Sequence, residues 1–344
     1  MIRQLWLSLL LLGTTSVVAQ QQFTVSGRVA LPDGYTAGIV VNTDTAFAVS
    51  VGNETEIRDG RFTITGVISQ PQPGTLMTNN LQLVERNHWP EDSIRWTYDD
   101  IFLSPGELTF TLEDKLTGTA IQTDYNEWLR GGTDASPWQF IETHPQSVVS
   151  VWLANGMMRR AYNLTAEEVA LLERTIRENP ADTARYTQFL RQLEAAKKTV
   201  KNMPVTNLEL VDTNGQTCQM TEVVADVQQK YPGSYVLLDF WASWCGICIH
   251  SMPDVAQLVE DFGDRLCVVA ISIDTKPLAW KRAMDKHPHD WPQYCTSQRG
   301  YQDLFDKYQV GNGVPYYLLV SPEGRVLFSP ERPDDVRDVL AIKN

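Results

Sequence analysis

The sequence predicts an α/β C-terminal domain, preceded by an antiparallel β-sandwich and a helical segment. Three observations predict it. From residue 204 to 344, continuous apolar runs alternate with amphipathic stretches, the order expected of a sheet covered on both faces. Residues 20–120 instead alternate apolar and polar side chains with period two between turn signals. Residues 121–203 carry the three- and four-residue apolar spacing of helices. A chain of 344 residues has room for more than one core at roughly 150 residues per domain.

The first stretch, "MIRQLWLSLLLLGTTSVVAQQQ", has Arg3, an apolar run, and Val17 and Ala19 placed as a small-residue cleavage site. It reads as a secretory signal over residues 1–19. The run is about 15 residues, below the ~20 that a spanning helix needs. An uncleaved anchor is the alternative. The mature chain is therefore expected to be a soluble exported protein of the periplasm.

In the β-rich region, "FTVSGRVAL" sets Phe23, Val25, Val29 and Leu31 against Thr24, Ser26 and Arg28. That is a half-buried strand. Asp59-Gly60 in "TEIRDGRFTITGVI" and Ser104-Pro105-Gly106 in "IFLSPGELTFTLE" predict hairpins. No catalytic constellation stands out here. In the helical region, "HPQSVVSVWLANG" predicts a helix from Pro145 to Gly156. Thr165 and Glu168 form a capping box. "YTQFLRQLEAAKKTV" predicts a further helix, closed by basic residues.

From residue 204, "LELVD" and the segment around Cys218 predict a hairpin, and a helix follows to about Lys230. "YVLLDFWA" and "LCVVAISID" are buried strands, joined by a helix from near Cys245 to about Phe262. Helices follow around Trp280 and after Tyr301. "PYYLLVSPEGRVLF" is a hairpin turned at Pro322-Glu323-Gly324, and a last helix spans about 333–342.

Net charge is −13, which argues against a nucleic-acid backbone as partner. The five cysteines are Cys218, Cys245, Cys248, Cys267 and Cys295, too few for a stapled secreted scaffold and odd in number. One tight pair in an exported protein points to chemical use of that pair.

The pair lies in "DFWASWCGICIHSMP". Cys245 is expected at a helix N-terminus, where unpaired N–H groups favour negative charge. A thiolate is the species that attacks a disulfide. The spacing puts Cys248 one helical turn on, within bonding range and deeper. Cys245 is expected to attack and Cys248 to resolve.

"LLDFWASWCGICIHSMP", with "GVPYYLLVSPEGRVLF" about seventy residues later, resembles the thioredoxin fold. Within the redoxin superfamily it is most similar to the exported TlpA/ResA-like thiol–disulfide oxidoreductases, over roughly residues 204–344. The N-terminal half resembles the domain that often precedes such reductases. The resemblance implies a Cys245–Cys248 disulfide in the oxidised state. It assigns Asp239 to moving the proton of the buried cysteine. A carboxylate inside an apolar strand is costly without a use, and burial raises its pKa. The alternative is an aspartate at a solvated sheet edge or paired with a lysine.

The resemblance further implies a cis peptide at Pro315, with Val314 offering backbone groups to an extended substrate and Gly311 and Gly313 forming the turn. Pro253 matches the family's kinked helix. Trp244, Gly246 and Ile247 complete the substrate-binding candidates, with Trp244 shielding the disulfide and Trp241 in the core. Many thioredoxins have proline where this chain has Ile247. The residues between the cysteines tune the reduction potential, so the direction of electron flow stays open.

What the resemblance implies for partners is a membrane thiol electron donor and disulfide-bearing envelope proteins, apocytochromes among them. No soluble cofactor is implied. The N-terminal half is expected to select partners or to form a homodimer. Other readings are a disulfide oxidase or isomerase, a peroxiredoxin-like peroxidase, a metal site on Cys245, Cys248 and His250, and an envelope scaffold with a non-catalytic dithiol. The metal ligand set is incomplete. "FWASWCGIC" lacks the proline and threonine that peroxiredoxins set before the attacking cysteine. A CxxC closes too short a loop to be a useful staple. Cys267 reads as a small hydrophobe in a buried strand. Spacing leaves open whether Cys218 and Cys295 pair.

Overall fold

The computed structural model describes residues 20–41, 49–308, 310 and 313–341. The expected secretory signal and Gly311 lie outside the described residues. The chain divides into two compact units that meet between Ala135 and Ser136.

The first unit contains strands β1 (Gln21–Arg28), β2 (Thr36–Val41), β3 (Val49–Glu56), β4 (Arg61–Ile68) and β5 (Gln72–Asn79). Helix α1 (Leu81–Asn87) follows, then β6 (Trp96–Leu103), β7 (Gly106–Thr111), β8 (Lys115–Thr117) and helix α2 (Ala120–Arg130). The strands form two four-stranded sheets, ordered β4-β1-β7-β8 and β3-β2-β5-β6. Alternation along each strand sends Phe23, Val25, Ile64, Leu108 and Phe110 of one sheet, and Ile39, Val41, Leu76 and Ile101 of the other, into one core.

Two details differ from the antiparallel hairpin reading. The Asp59-Gly60 turn forms, with both residues at positive φ (50° and 69°), but it closes a single bridge between Arg58 and Arg61. The strands on either side go to different sheets, β3 to one and β4 to the other, and just before the turn Ile57 N–H donates to Tyr35 O (2.7 Å), ahead of β2. Ser104-Pro105 likewise joins β6 of one sheet to β7 of the other. A turn signal says that the chain reverses, not which sheet receives it. In addition, β1 runs parallel to β7. Strands so far apart in sequence are under no hairpin constraint.

The second unit opens with helices α3 (Pro137–Thr143), α4 (Val148–Met158), α5 (Ala166–Thr175) and α6 (Thr183–Ala196). Helix α4 runs through Gly156, where the sequence predicted its end. Burial of Val148, Val151, Ala154 and Met158 outweighs the ~1 kcal/mol that glycine costs inside a helix. The Thr165–Glu168 capping box is present.

Next come β9 (Glu209–Val211), β10 (Thr217–Gln219), α7 (Met220–Lys230), β11 (Tyr235–Trp241), α8 (Gly246–Phe262) and β12 (Leu266–Ser272). They are followed by α9 (Pro277–Lys286), β13 (Gln293–Thr296), α10 (Gln298–Tyr308), β14 (Tyr316–Val320), β15 (Val326–Phe328) and α11 (Arg337–Ala341). The seven strands are ordered β10-β9-β13-β12-β11-β14-β15. β11, β12 and β13 are parallel, and the others join antiparallel. Val255 and Leu258 of α8 cover one face, on Leu237 and Leu319. Val223 of α7, Trp280 of α9 and Leu304 of α10 cover the other, on Val236, Leu238 and Phe240.

Strand β13 was not predicted from the sequence, and it decides the cysteine question. Cys218 pairs with Leu210 and Cys295 with Val211, so β9 lies between them. Two strand spacings are about 9–10 Å, beyond disulfide reach. Both are free thiols, as is Cys267. Cys267 is half-buried rather than buried, with Sγ 3.7 Å from Ser234 Oγ.

The helical segment is stitched to the same sheet. Tyr162 sits in the core beneath β11. Asn163 and Ser329 exchange two hydrogen bonds, of 2.7 and 3.0 Å. Asn202 N–H donates to Val326 O (2.7 Å) and Val326 N–H to Met203 O (2.9 Å), so residues 202–205 cover the β15 edge.

Candidate active site

Strand β11 is buried along its whole length and delivers the chain to the top of the sheet. After Trp241 the backbone turns, and Cys245 becomes the N-cap of α8. Cys245 and Cys248 are joined by a disulfide, with Cα atoms 5.3 Å apart. The Cys248 N–H donates to Cys245 Sγ at 3.1 Å, so an otherwise orphaned helix donor points at that sulfur. Cys245 is 7% exposed and Cys248 2%, which orders them as outer and inner sulfur. Pro253 lies inside α8. Having no N–H, it cannot donate to Ile249 O.

The rim is apolar and open. Trp244 is 68% exposed and Ile247 70%, with exposed Gly246 between them in the chain order of the turn. Trp241 is buried in the core. Across from the rim, Val314 O lies 3.4 Å from Cys245 Sγ. The Val314–Pro315 peptide is cis, and Gly313 before it takes φ +108°, a conformation other residues rarely adopt. The loop therefore brings a backbone edge directly beside the outer sulfur.

Asp239 is 3% exposed, with no cation against it among the described residues. Burial pushes its pKa up to about 7. Its cross-strand neighbour is Tyr317 on β14. The Tyr317 hydroxyl and Ser251 Oγ lie 2.9 Å apart, and Ser251 Oγ–H donates to Cys248 O, also at 2.9 Å. A polar thread thus runs from the partner of Asp239 to the backbone of the inner cysteine.

Sequence reasoning missed Asp274, a buried carboxylate just past the end of β12. Its oxygens accept from Ser243 N–H (2.8 Å), Ser243 Oγ–H (2.7 Å) and Ser272 Oγ–H (2.7 Å). Ile273 N–H donates to Trp241 O at 2.8 Å. Together these bonds fix the turn that presents Cys245. The available signal was position: polar residues at the carboxyl ends of parallel strands face the site. His250 is exposed, and no group of three or more His, Cys, Asp or Glu among the described residues could hold a metal. No helix among them is long and apolar enough to cross a membrane.

A parallel β11–α8–β12 crossover that carries a dithiol at the start of its helix, faced by a cis-proline loop, is a thioredoxin-like arrangement. The comparisons with known proteins agree: residues 233–326 match the thioredoxin-like family profile. The thiol-disulfide oxidoreductase ResA of Bacillus subtilis is 26% identical over 122 residues, 35% of this chain and 62% of that protein. Thioredoxin 1 of Chlorobaculum tepidum is 47% identical over 47 residues, 14% of this chain and 46% of that protein. The chain thus spans less than two thirds of the length of either relative. The solved thioredoxin domain of a thiol-disulfide oxidoreductase from Bacteroides vulgatus is 23% identical, with a TM-score of 0.35, covering 41% of this chain and 95% of that one.

Proposed function

We propose that this protein is an exported thiol–disulfide oxidoreductase that reduces disulfides of envelope proteins. The observation that carries the reading is Cys245 at the start of α8, its sulfur receiving the Cys248 N–H at 3.1 Å. That donor and the helix macrodipole stabilise a thiolate over a thiol.

In the reduced protein, Cys245 thiolate attacks one sulfur of a substrate disulfide. A Cys245–substrate bond forms, the substrate S–S bond breaks, and one substrate thiolate leaves and is protonated. Asp239, as carboxylate, accepts the Cys248 proton. Cys248 then attacks Cys245 Sγ and displaces the second substrate thiolate. Two electrons pass from the dithiol to the substrate, leaving Cys245–Cys248 oxidised. The Val314 backbone pairs with the substrate strand beside the sulfur, and Trp244, Gly246 and Ile247 form the surface on which it rests. A membrane thiol carrier returns the electrons. The first unit selects partners or forms a homodimer, and no soluble cofactor takes part.

Insulin reduction by dithiothreitol tests the chemistry. The wild type accelerates it, and the Cys245→Ser/Cys248→Ser variant, folded by circular dichroism, does not. Equal rates for the two proteins remove the proposal. The potential of the pair decides direction: about −270 mV fits a reductase and about −120 mV an oxidant.

A further inference from the structure

A cavity of about 330 Å³ opens directly beside the cis-proline loop. Val314, Pro315 and Tyr316 line it, together with Arg159 and Arg160, just past the C-terminal end of α4, and Glu331. The helical segment thus brings two guanidinium groups next to the backbone edge that faces the outer sulfur.

The two arginines differ in how they are held. Arg160 Nη1 donates to Ser329 Oγ (3.0 Å) and Pro330 O (2.9 Å), and its guanidinium stacks over the Tyr316 ring at 5.5 Å. It is a fixed positive wall. Arg159 is exposed. Among the described residues neither is in an ion pair, with Glu331 or any other carboxylate. Two cations against one carboxylate leave the lining positive on a chain whose net charge is −13. Guanidinium groups left without carboxylates in a concave site are receptors for a carboxylate, which they bind through paired N–H donors.

Distance ties this cavity to the dithiol. Val314 lines it and also lies 3.4 Å from Cys245 Sγ through its carbonyl oxygen. A substrate strand laid along Val314 advances about 3.3 Å per residue. A side chain roughly one to three residues from the attacked cysteine therefore reaches the arginines. We infer that Arg159 and Arg160 form a specificity subsite that selects disulfides flanked by an aspartate or glutamate. This rests on the dithiol reading above and adds the substrate class to it.

The test compares disulfide-bearing, fluorescence-quenched peptides that differ only in carrying glutamate or lysine at each of the three positions flanking the cysteine. The readout is the ratio of kcat/KM for the two within one protein, so a general loss of activity cancels. The wild type should prefer glutamate at one position by about ten-fold at low salt, with the preference fading as salt screens it. Arg159→Glu should abolish or invert the ratio, and Arg159→Lys should restore most of it. A ratio near one in the wild type, or one unchanged in Arg159→Glu, overturns the subsite. Fluorescence anisotropy with the same peptides carrying serine for cysteine separates this from the reductase reading. Charge-selective binding lost in Arg159→Glu, without turnover of any disulfide, upholds the subsite and removes the chemistry. Charge-blind binding removes the subsite.

Discussion

Asp274 grips Ser243 twice, at the backbone N–H (2.8 Å) and at the hydroxyl (2.7 Å), two residues before the outer cysteine. The buried carboxylate positions the turn without touching the sulfur. Asp274→Ala should leave Ser243 and Ser272 donors without partners, at a cost of about 1–3 kcal/mol in stability. The iodoacetamide alkylation rate of Cys245 in the reduced protein should fall by about ten-fold or more, because small displacements of a reacting group are expensive. An unchanged rate alongside lowered stability would make Asp274 a purely structural residue.

Asp239 should make stability depend on pH. Its pKa is about 7 in the folded chain and about 3.9 unfolded. Between these values the folded state keeps a proton that the unfolded state has lost, so stability falls as pH rises from about 4 to 7. Above pH 7 the buried charge costs about 4 kcal/mol. Asp239→Asn should therefore match the wild type below pH 4 and be more stable at pH 8, by urea unfolding. The same variant should slow resolution of the mixed disulfide by about 100-fold and flatten its pH profile near neutrality.

The Ser251–Tyr317 contact should behave as a coupled pair. Ser251→Ala leaves the Tyr317 hydroxyl buried without this partner and should cost about 1–3 kcal/mol. Adding Tyr317→Phe should recover part of that loss, and a double-mutant cycle reads the coupling. Strictly additive losses would show that the 2.9 Å contact contributes nothing of its own.

The order of attack gives a trapping prediction. Cys248→Ser should accumulate a mixed disulfide between Cys245 and a substrate, visible by mass spectrometry under non-reducing conditions. Cys245→Ser should trap far less, because Cys248 is only 2% exposed. The reverse pattern would make Cys248 the attacking residue.

Much of the site was legible because it is local. β11, α8 and β12 announce themselves through two continuous apolar runs and a helix start at Cys245, and their crossover places the dithiol. What stayed hidden is non-local. Strand β13 has four residues with a mixed pattern, "QYCT", too short for a period to register. The Asp59-Gly60 reversal carried no information about which sheet would accept the returning strand. Asp274 owes its importance to a loop 31 positions earlier. Nothing in the sequence singles out Arg159 and Arg160, and only the contacts of Arg160 with Ser329 and the Tyr316 ring tie this pair to the site.

The way residues 202–205 lie along β15 has a practical consequence for anyone isolating the thioredoxin-like portion. A fragment cut at 204 would leave a hole where Tyr162 stood and bare a ladder of amide and carbonyl groups. Such a ladder recruits whatever strand drifts by, so that fragment should self-associate on gel filtration, while one starting at Ser136 stays monodisperse.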